Sequence, residues 1–336
     1  MPRSKPLAAL AMDVRAADAV LKPAVRRRLA EVVELTEPVL SDFTCQAAGR
    51  VLPQVELLIT GWGCPPLDEA ALARAPRLRA VAHTAGSVRG HLTPACWARG
   101  IEVSTAAAAN AAPVAEYTLA MVLLANKRVL PVARAYQRQR SRTDWLFPDP
   151  QLGNYRRTVG IVSASLIGRR VIELLAAHDL RVLLYDPYVD AARAAELGAA
   201  KVELAELFAS SDVVSVHTPL LPETRGLVSG ELLALLRDGG TLINTARGAV
   251  VDQEALTKEL LDGRVHAVLD VTEPEVLPAG HPLWDCENAL LTPHLAGSQG
   301  NELDRLAELT LDEVRRWAAG EGFAHAVHPE RKELLA

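Results

Sequence analysis

The sequence predicts an α/β protein of two parallel-sheet domains, and three observations carry that reading. The chain has 336 residues, which at roughly 100 to 200 residues per domain favours two cores over one. From Thr158 onward, short runs rich in Val, Leu and Ile alternate with helical segments, as strands buried on both faces and joined by helical crossovers do. Aromatic residues are scarce, with five Trp, five Tyr and four Phe. The cores are therefore built from small aliphatic side chains, which suits helices packed on parallel strands.

The expected strands of the second half are Thr158–Val162, Arg181–Tyr185, Val213–His217, Thr241–Thr245, His266–Val271 and Ala289–Leu291. Helices are expected at Leu166–Ala177, Glu231–Leu236 and Gln253–Leu261. Parallel neighbours cannot be joined by a tight turn, so this alternation implies right-handed crossovers and a doubly wound sheet. The first hundred residues repeat the theme less clearly, with strands near Leu7–Met12, Val55–Thr60, Leu78–His83 and Ile101–Ser104. Two long helical segments flank the clearer half: Pro113–Arg140, broken by Pro131, and Asn301–Ala319, whose Leu303, Leu306, Leu309 and Val314 fall near helical spacing. Arg142–Asn154, with Pro148, Pro150 and Gly153, reads as loop.

Composition narrows the class of function. Lys and Arg number 36 against 41 Asp and Glu, for a formal charge of −5, so nothing attracts the whole molecule to nucleic acid or anionic lipid. Cys45, Cys64, Cys96 and Cys286 stand 19, 32 and 190 residues apart, which fits neither a metal-binding pair nor a secreted disulfide framework; reduced thiols in a cytoplasmic protein are expected, with no metal. The run from Met1 to Asp13 reads as a first strand rather than a signal peptide. The longest apolar stretch, Val114–Ala125, contains Glu116, Tyr117 and Thr118 and is expected to fall short of the roughly 20 residues that span a bilayer.

Ligands of open parallel sheets collect at the carboxyl ends of the strands. Here those ends carry Ser163-Ala164-Ser165, Asp186, His217-Thr218-Pro219, Thr245-Ala246-Arg247-Gly248, Asp270 and Pro293-His294. The first lies where a dinucleotide-binding turn would lie, yet against G-x-G-x-x-G the first two glycines are Ser163 and Ser165, and Gly168 alone survives. Ser165 can offer a hydroxyl to a phosphate, whereas Ser163 must tolerate a strained backbone or reshape the loop. Asp186 ends the second strand 23 residues after Ser163, where a carboxylate accepts hydrogen bonds from the adenosine ribose and repels a 2′-phosphate, favouring NAD over NADP. Its other reading is a plain Asp-Pro turn.

Taken together, Val-Ala-Glu-Tyr-Thr-Leu-Ala (114–120), the Ser-Ala-Ser turn, His-Thr-Pro-Leu-Leu-Pro-Glu-Thr-Arg-Gly (217–226), Ile-Asn-Thr-Ala-Arg-Gly (243–248), Leu-Asp-Val (269–271) and Leu-Thr-Pro-His-Leu-Ala-Gly-Ser (291–298) resemble the D-isomer-specific 2-hydroxyacid dehydrogenases. The matches run in the family's order over most of the chain. The resemblance implies Rossmann-like and flavodoxin-like domains, with an NAD domain at 109–301 inserted into a substrate domain made of 1–108 and 302–336. It also implies a homodimer formed through the NAD domains. It places Ser163, Ala164, Ser165, Leu166, Ile167, Gly168, Asp186, His217, Thr218, Pro219, Thr245, Ala246, Arg247, Asp270, His294 and Gly297 around NAD. Asp270 would meet the nicotinamide amide.

The family's catalytic Arg, Glu and His fall on Arg247, Glu275 and His294. A guanidinium can fork onto the carboxylate of a 2-oxo acid. An imidazole can give a proton to the forming alkoxide and take one back in oxidation, and Glu275 would hold its other nitrogen. Glu275 has Glu273 as a nearby competitor, and Val276 stands where the family usually has Pro. In the N-terminal part, Ala85, Gly86, Ser87 and Arg89 occupy the family's substrate loop. Backbone N–H groups at Gly86 and Ser87 would bind the substrate carboxylate; Arg89 replaces a common Asp and could meet a second anionic group or simply face solvent. Trp62 is either a second wall of the site or core. The implied reaction is hydride transfer between NAD(H) and a 2-oxo acid/(R)-2-hydroxy acid pair, in a cleft between the domains. An NAD(H)-sensing or partner-binding protein, or a dehydrogenase of another small anion, is the alternative.

Overall fold

The computed structural model describes residues 5–142 and 152–328. The central part of the expected 142–154 loop, with Pro148 and Pro150, lies outside the described residues. Contacts divide the chain into two compact units: residues up to Asn110 together with those from Ser298 on, and Ala111–Gly297.

The first unit is built on five parallel strands, β1 (Leu7–Ala11), β2 (Glu34–Leu40), β3 (Leu57–Thr60), β4 (Ala80–His83) and β5 (Glu102–Thr105), in the order β2-β1-β3-β4-β5. This is the flavodoxin-like order, with its switch point between β1 and β3. β3 and β4 are buried along their whole length, as expected of runs that are apolar up to the Thr60 and His83 that end them. β2 is not legible in the sequence because Glu-Leu-Thr-Glu-Pro-Val-Leu neither alternates nor stays apolar; Pro38 is tolerated in it because the strand lies at the sheet edge. The helix Leu303–Ala319 rejoins this unit by burying Leu306, Ala307, Leu311 and Val314 among Leu10, Leu21 and Leu29, each large side chain contributing about 1.5–3 kcal/mol. Buried Glu313 accepts the Ala324 and His325 N–H groups at 3.1 and 2.9 Å and so caps the turn that follows.

The second unit carries seven parallel strands, β6 (Thr158–Val162), β7 (Arg181–Tyr185), β8 (Ala200–Lys201), β9 (Val213–Val216), β10 (Thr241–Asn244), β11 (His266–Leu269) and β12 (Ala289–Leu291), in the order β12-β11-β10-β9-β6-β7-β8. Six match the expected strands to within two residues, and two-residue β8 is too short to leave a pattern. The chain departs from β6 in both directions, so the switch point lies between β6 and β9.

Two expectations need correction here. The segment 113–140 breaks at Lys127–Arg128, where Arg128 turns left-handed at φ 49°, and not at Pro131. Pro131 sits in the first turn of the helix Val129–Gln139, where a missing N–H costs no intrahelical bond. The helix before the break, Ala107–Asn126, spans 20 residues and is long and apolar enough to cross a membrane by length and composition. It nonetheless buries Ala115 and Val122 against Val159 and Ile161 of β6, and Thr118 hydrogen-bonds Thr245.

Candidate functional site

In the second unit, β6 runs through Ser163-Ala164-Ser165 into the helix Leu166–Leu175, capped by the Ser165 hydroxyl, which accepts the Gly168 N–H at 3.3 Å. Ser163 takes φ 81°, the left-handed region that favours glycine. Asp186 holds it there: Oδ2 accepts the Ser163 hydroxyl at 3.3 Å and the Ala164 N–H at 2.8 Å, and Oδ1 accepts the Tyr188 N–H at 2.8 Å. The turn thus keeps the backbone of a glycine turn without its first two glycines. The third is irreplaceable, since a Cβ on Gly168 would stand 2.0 Å from the Ser163 carbonyl oxygen.

Asp186 is 6% exposed and gives three acceptor positions to the turn. It is therefore a brace first, with room on Oδ1 for a ribose hydroxyl. The residues fit a dinucleotide: a tight strand-to-helix turn, a helix N-terminus with open N–H groups, and a carboxylate at the end of the next strand. His217 adds a buried Nδ1 without a hydrogen-bond partner, while its Nε2 lies 2.9 Å from the Ser215 hydroxyl. Burial pushes this ring down to about 3. Thr218 donates to the Val162 carbonyl at 3.4 Å, and Pro219 is buried beside it.

At the far side of the switch point the sheet assembles a second group. Asn244 ends β10 and shapes the turn after it, accepting the Ala246 N–H at 3.0 Å and donating to the Arg247 carbonyl at 2.9 Å. Arg247 itself donates to the Ala246 carbonyl at 2.6 Å. Gly248 then presses on the loop after β11, where a Cβ would stand 2.2 Å from the Thr272 carbonyl carbon. That loop is pinned by Gln253, which donates to the Glu273 carbonyl at 2.7 Å and accepts its N–H at 2.9 Å. The Glu273–Pro274 peptide is cis. Glu275 follows, and its Oε1 lies 2.6 Å from His294 Nδ1. Glu275, not Glu273, is therefore the partner of His294, and Val276 points to solvent.

His294 sits at φ 53° on a loop fixed from beneath by Asp270. Asp270 is 1% exposed; its Oδ1 accepts the Thr292 hydroxyl at 2.6 Å and the Leu295 N–H at 2.8 Å, and its Oδ2 accepts the Ala296 N–H at 3.0 Å. The carboxylate expected beside the nicotinamide amide is thus engaged on three sides by the histidine loop. The Tyr117 hydroxyl lies 3.0 Å from Thr292 Oγ1, and burial pushes its phenol above the usual value against the opposing pull of that bond. Sequence pattern assigns no role to Tyr117, Thr118 or Thr292. All three sit in the quoted motifs, but only the fold shows what they touch.

In the first unit, the ends of β3 and β4 lead into Gly61-Trp62-Gly63 and Thr84–Gly90. Trp62 is 45% exposed, so it is not core. Ala85 is buried and Gly86 and Ser87 are half-buried, and among the described residues none of their three backbone N–H groups donates a hydrogen bond within the protein. Arg89 is exposed, with its N–H 3.4 Å from the Ser87 hydroxyl. Among the described residues no three His, Cys, Asp or Glu are grouped to hold a metal ion.

The family model for the NAD-binding domain of D-isomer specific 2-hydroxyacid dehydrogenases matches residues 119–296. The D-3-phosphoglycerate dehydrogenase of Mycobacterium tuberculosis is 35% identical over 82% of this chain and 52% of its own length. The chain thus spans about half the length of the phosphoglycerate dehydrogenases it matches. The glyoxylate reductase of Aeropyrum pernix is 35% identical over 79% of this chain and 80% of its own. Among solved structures, the D-lactate dehydrogenase of Aquifex aeolicus complexed with NAD and lactic acid superposes with a TM-score of 0.74 at 25% identity, covering 96% of this chain and all of that one.

Proposed function

Because the chain belongs to the D-isomer-specific 2-hydroxyacid dehydrogenase family and carries its NAD-binding domain, we propose that it interconverts a 2-oxo acid and the corresponding (R)-2-hydroxy acid with NAD(H). The observation that carries this reading is the 2.6 Å bond between His294 Nδ1 and Glu275 Oε1, on side chains that remain about half exposed (46% and 58%). A protein that only binds nucleotide has no use for an oriented, accessible imidazole–carboxylate pair.

Glu275 fixes the tautomer. With Nδ1–H donated to the carboxylate, Nε2 is the atom that exchanges a proton with the substrate oxygen. When bound, the nicotinamide would supply the hydride in reduction and accept it in oxidation. His294 Nε2 gives a proton to the alkoxide oxygen as C2 is reduced, and takes it back in the reverse direction. Arg247 is the guanidinium that binds the substrate carboxylate and polarises the C2 carbonyl. In the first unit, the unpartnered N–H groups of Ala85, Gly86 and Ser87 are donors suited to a carboxylate. The Ser163–Gly168 turn and the helix it opens would hold the pyrophosphate, and Asp186 would accept a ribose hydroxyl.

We further propose a homodimer located in the cytoplasm. Exposed Val129, Val132 and Tyr136 on the helix Val129–Gln139, beside an apolar groove lined by Met121, Leu124, Pro131 and Leu290, support self-association. Four unpaired cysteines suit a reducing compartment. The deciding experiment is an NADH-oxidation screen over 2-oxo acids, including dicarboxylic and phosphorylated ones that would engage Arg89. Turnover of at least one is expected, and a flat response across the panel defeats the reading. Sedimentation equilibrium tests the dimer.

A further inference from the structure

Three buried polar side chains in the first unit are used by none of the chemistry above. Thr60 and His83 end β3 and β4 as register partners, and His91 closes the loop that follows β4. Their exposures are 0, 3 and 5%, so their hydrogen-bonding capacity must be met within the protein. Thr60 Oγ1 lies 2.9 Å from His83 Nδ1 and 3.2 Å from His91 Nε2, and the two imidazole rings lie 4.6 Å apart.

The Thr60 hydroxyl has a single proton, so one ring accepts it and the other donates its N–H to the Thr60 oxygen. His83 precedes and His91 closes the loop that carries Ala85, Gly86 and Ser87, and the His91 backbone N–H donates to the Val88 carbonyl at 3.2 Å, so Thr60 ties the two ends of that loop together. The accepting ring must be neutral, and burial keeps both rings so, with the neighbouring His91 adding to the effect on His83.

We propose that His91, Thr60 and His83 form a positioning relay that ties together the two ends of the 84–90 loop and thereby holds the unpartnered Ala85, Gly86 and Ser87 N–H groups in the arrangement that receives the substrate carboxylate. The relay's purpose rests on the assignment of that loop to the carboxylate. These are positioning residues: none touches substrate, and each acts through the loop. A preformed cradle avoids the cost of ordering a loop when substrate binds, so the relay governs substrate affinity rather than the chemical step.

Thr60→Val removes the hydroxyl and keeps the shape, Thr60→Ser keeps the hydroxyl, and His91→Phe keeps a ring against His83 without Nε2. In Thr60→Val and His91→Phe, amide hydrogen exchange of the full chain is expected to speed up about tenfold across residues 84–91 while residues 158–168 stay unchanged. KM for the 2-oxo acid is expected to rise about tenfold with kcat within about twofold, and Thr60→Ser should restore both. Exchange equal to wild type in Thr60→Val and His91→Phe, a fall in kcat with KM unmoved, or failure of Thr60→Ser to rescue overturns the relay. If Thr60→Val does not fold, His91→Phe decides alone. A wild-type protein that turns over no 2-oxo acid defeats the functional reading instead, and the exchange comparison still decides the relay.

Discussion

The Ser163 hydroxyl donates to Asp186 Oδ2 at 3.3 Å while Ser163 itself stands at φ 81°, so a serine occupies a glycine's conformation because a carboxylate from the next strand holds it. Left-handed backbone at such a residue costs about 1–2 kcal/mol, a cost that the charge-assisted bonds from Ser163 and Ala164 offset. Asp186→Asn replaces one acceptor oxygen with an amide that faces N–H and O–H donors. NADH affinity is expected to fall about tenfold and stability by about 1–3 kcal/mol; fluorescence titration and thermal melts read the two. In the wild type, NADH should outcompete NADPH, because the carboxylate repels a 2′-phosphate. Equal use of both would show that Asp186 braces the turn and reads no ribose.

Removing His294 should separate chemistry from fold. His294→Ala is expected to lower kcat by about 10²–10⁴ with an unchanged circular dichroism spectrum, since its side chain is half exposed. Glu275→Gln retains an oxygen for Nδ1–H and should cost less, on the order of tenfold. A Gln variant as impaired as His294→Ala would mean that the charge, not the orientation, is what Glu275 supplies.

Gly248 and Gly49 make a paired test of close packing. A Cβ at Gly248 meets the Thr272 carbonyl carbon at 2.2 Å, whereas at Gly49, in the helix Gln46–Val51, it meets nothing within 4 Å. Gly248→Ala is expected to destabilise by about 1–3 kcal/mol and to cut kcat/KM, because it pushes apart the loops carrying Arg247 and Glu275. Gly49→Ala should stabilise by about 0.5–1 kcal/mol. Urea denaturation of both variants checks the pair, and a neutral Gly248→Ala would mean the two loops yield freely.

Stability should depend on pH through the buried imidazoles. Burial pushes His83 down to about 3, His91 to about 4 and His217 to about 3, while in the unfolded chain each titrates near 6.5. Below about pH 6.5 the unfolded state binds protons that the folded state refuses, so stability falls as pH drops toward 4 and levels off once the folded rings also titrate. Every tenfold loss of proton affinity on folding corresponds to about 1.4 kcal/mol at most. Thermal midpoints from pH 7.5 to 4 should decline, and more shallowly in His91→Phe than in wild type. Parallel slopes would show that other groups govern the acid limb.

The central strands of both sheets are legible because burial on both faces favours short, mostly apolar runs, as in Leu57–Thr60, polar only at its last residue, and Val213–Val216, interrupted only by Ser215. Edge strands obey no such demand. β2 carries two Glu and a Pro, and β8 is two residues long, so neither leaves a pattern. The residues of the catalytic assignment, Arg247, Glu275 and His294, are legible through motif order. The choice between Glu275 and Glu273 is not, because both lie within reach in sequence and only the path of the pinned loop decides which meets His294.

Fold class, family and the strand ends that bear the chemistry can all be read from the chain alone, because periodicity and motif order are written in local residue choice. What each polar group is for emerges only on folding. Asp270 anchors the histidine loop, Asp186 braces the turn before it can meet a ribose, and Thr60 links two histidines 23 and 31 residues further along the chain. A buried polar side chain takes its role from whichever partner satisfies it, and in a parallel sheet that partner comes from a neighbouring strand distant in sequence.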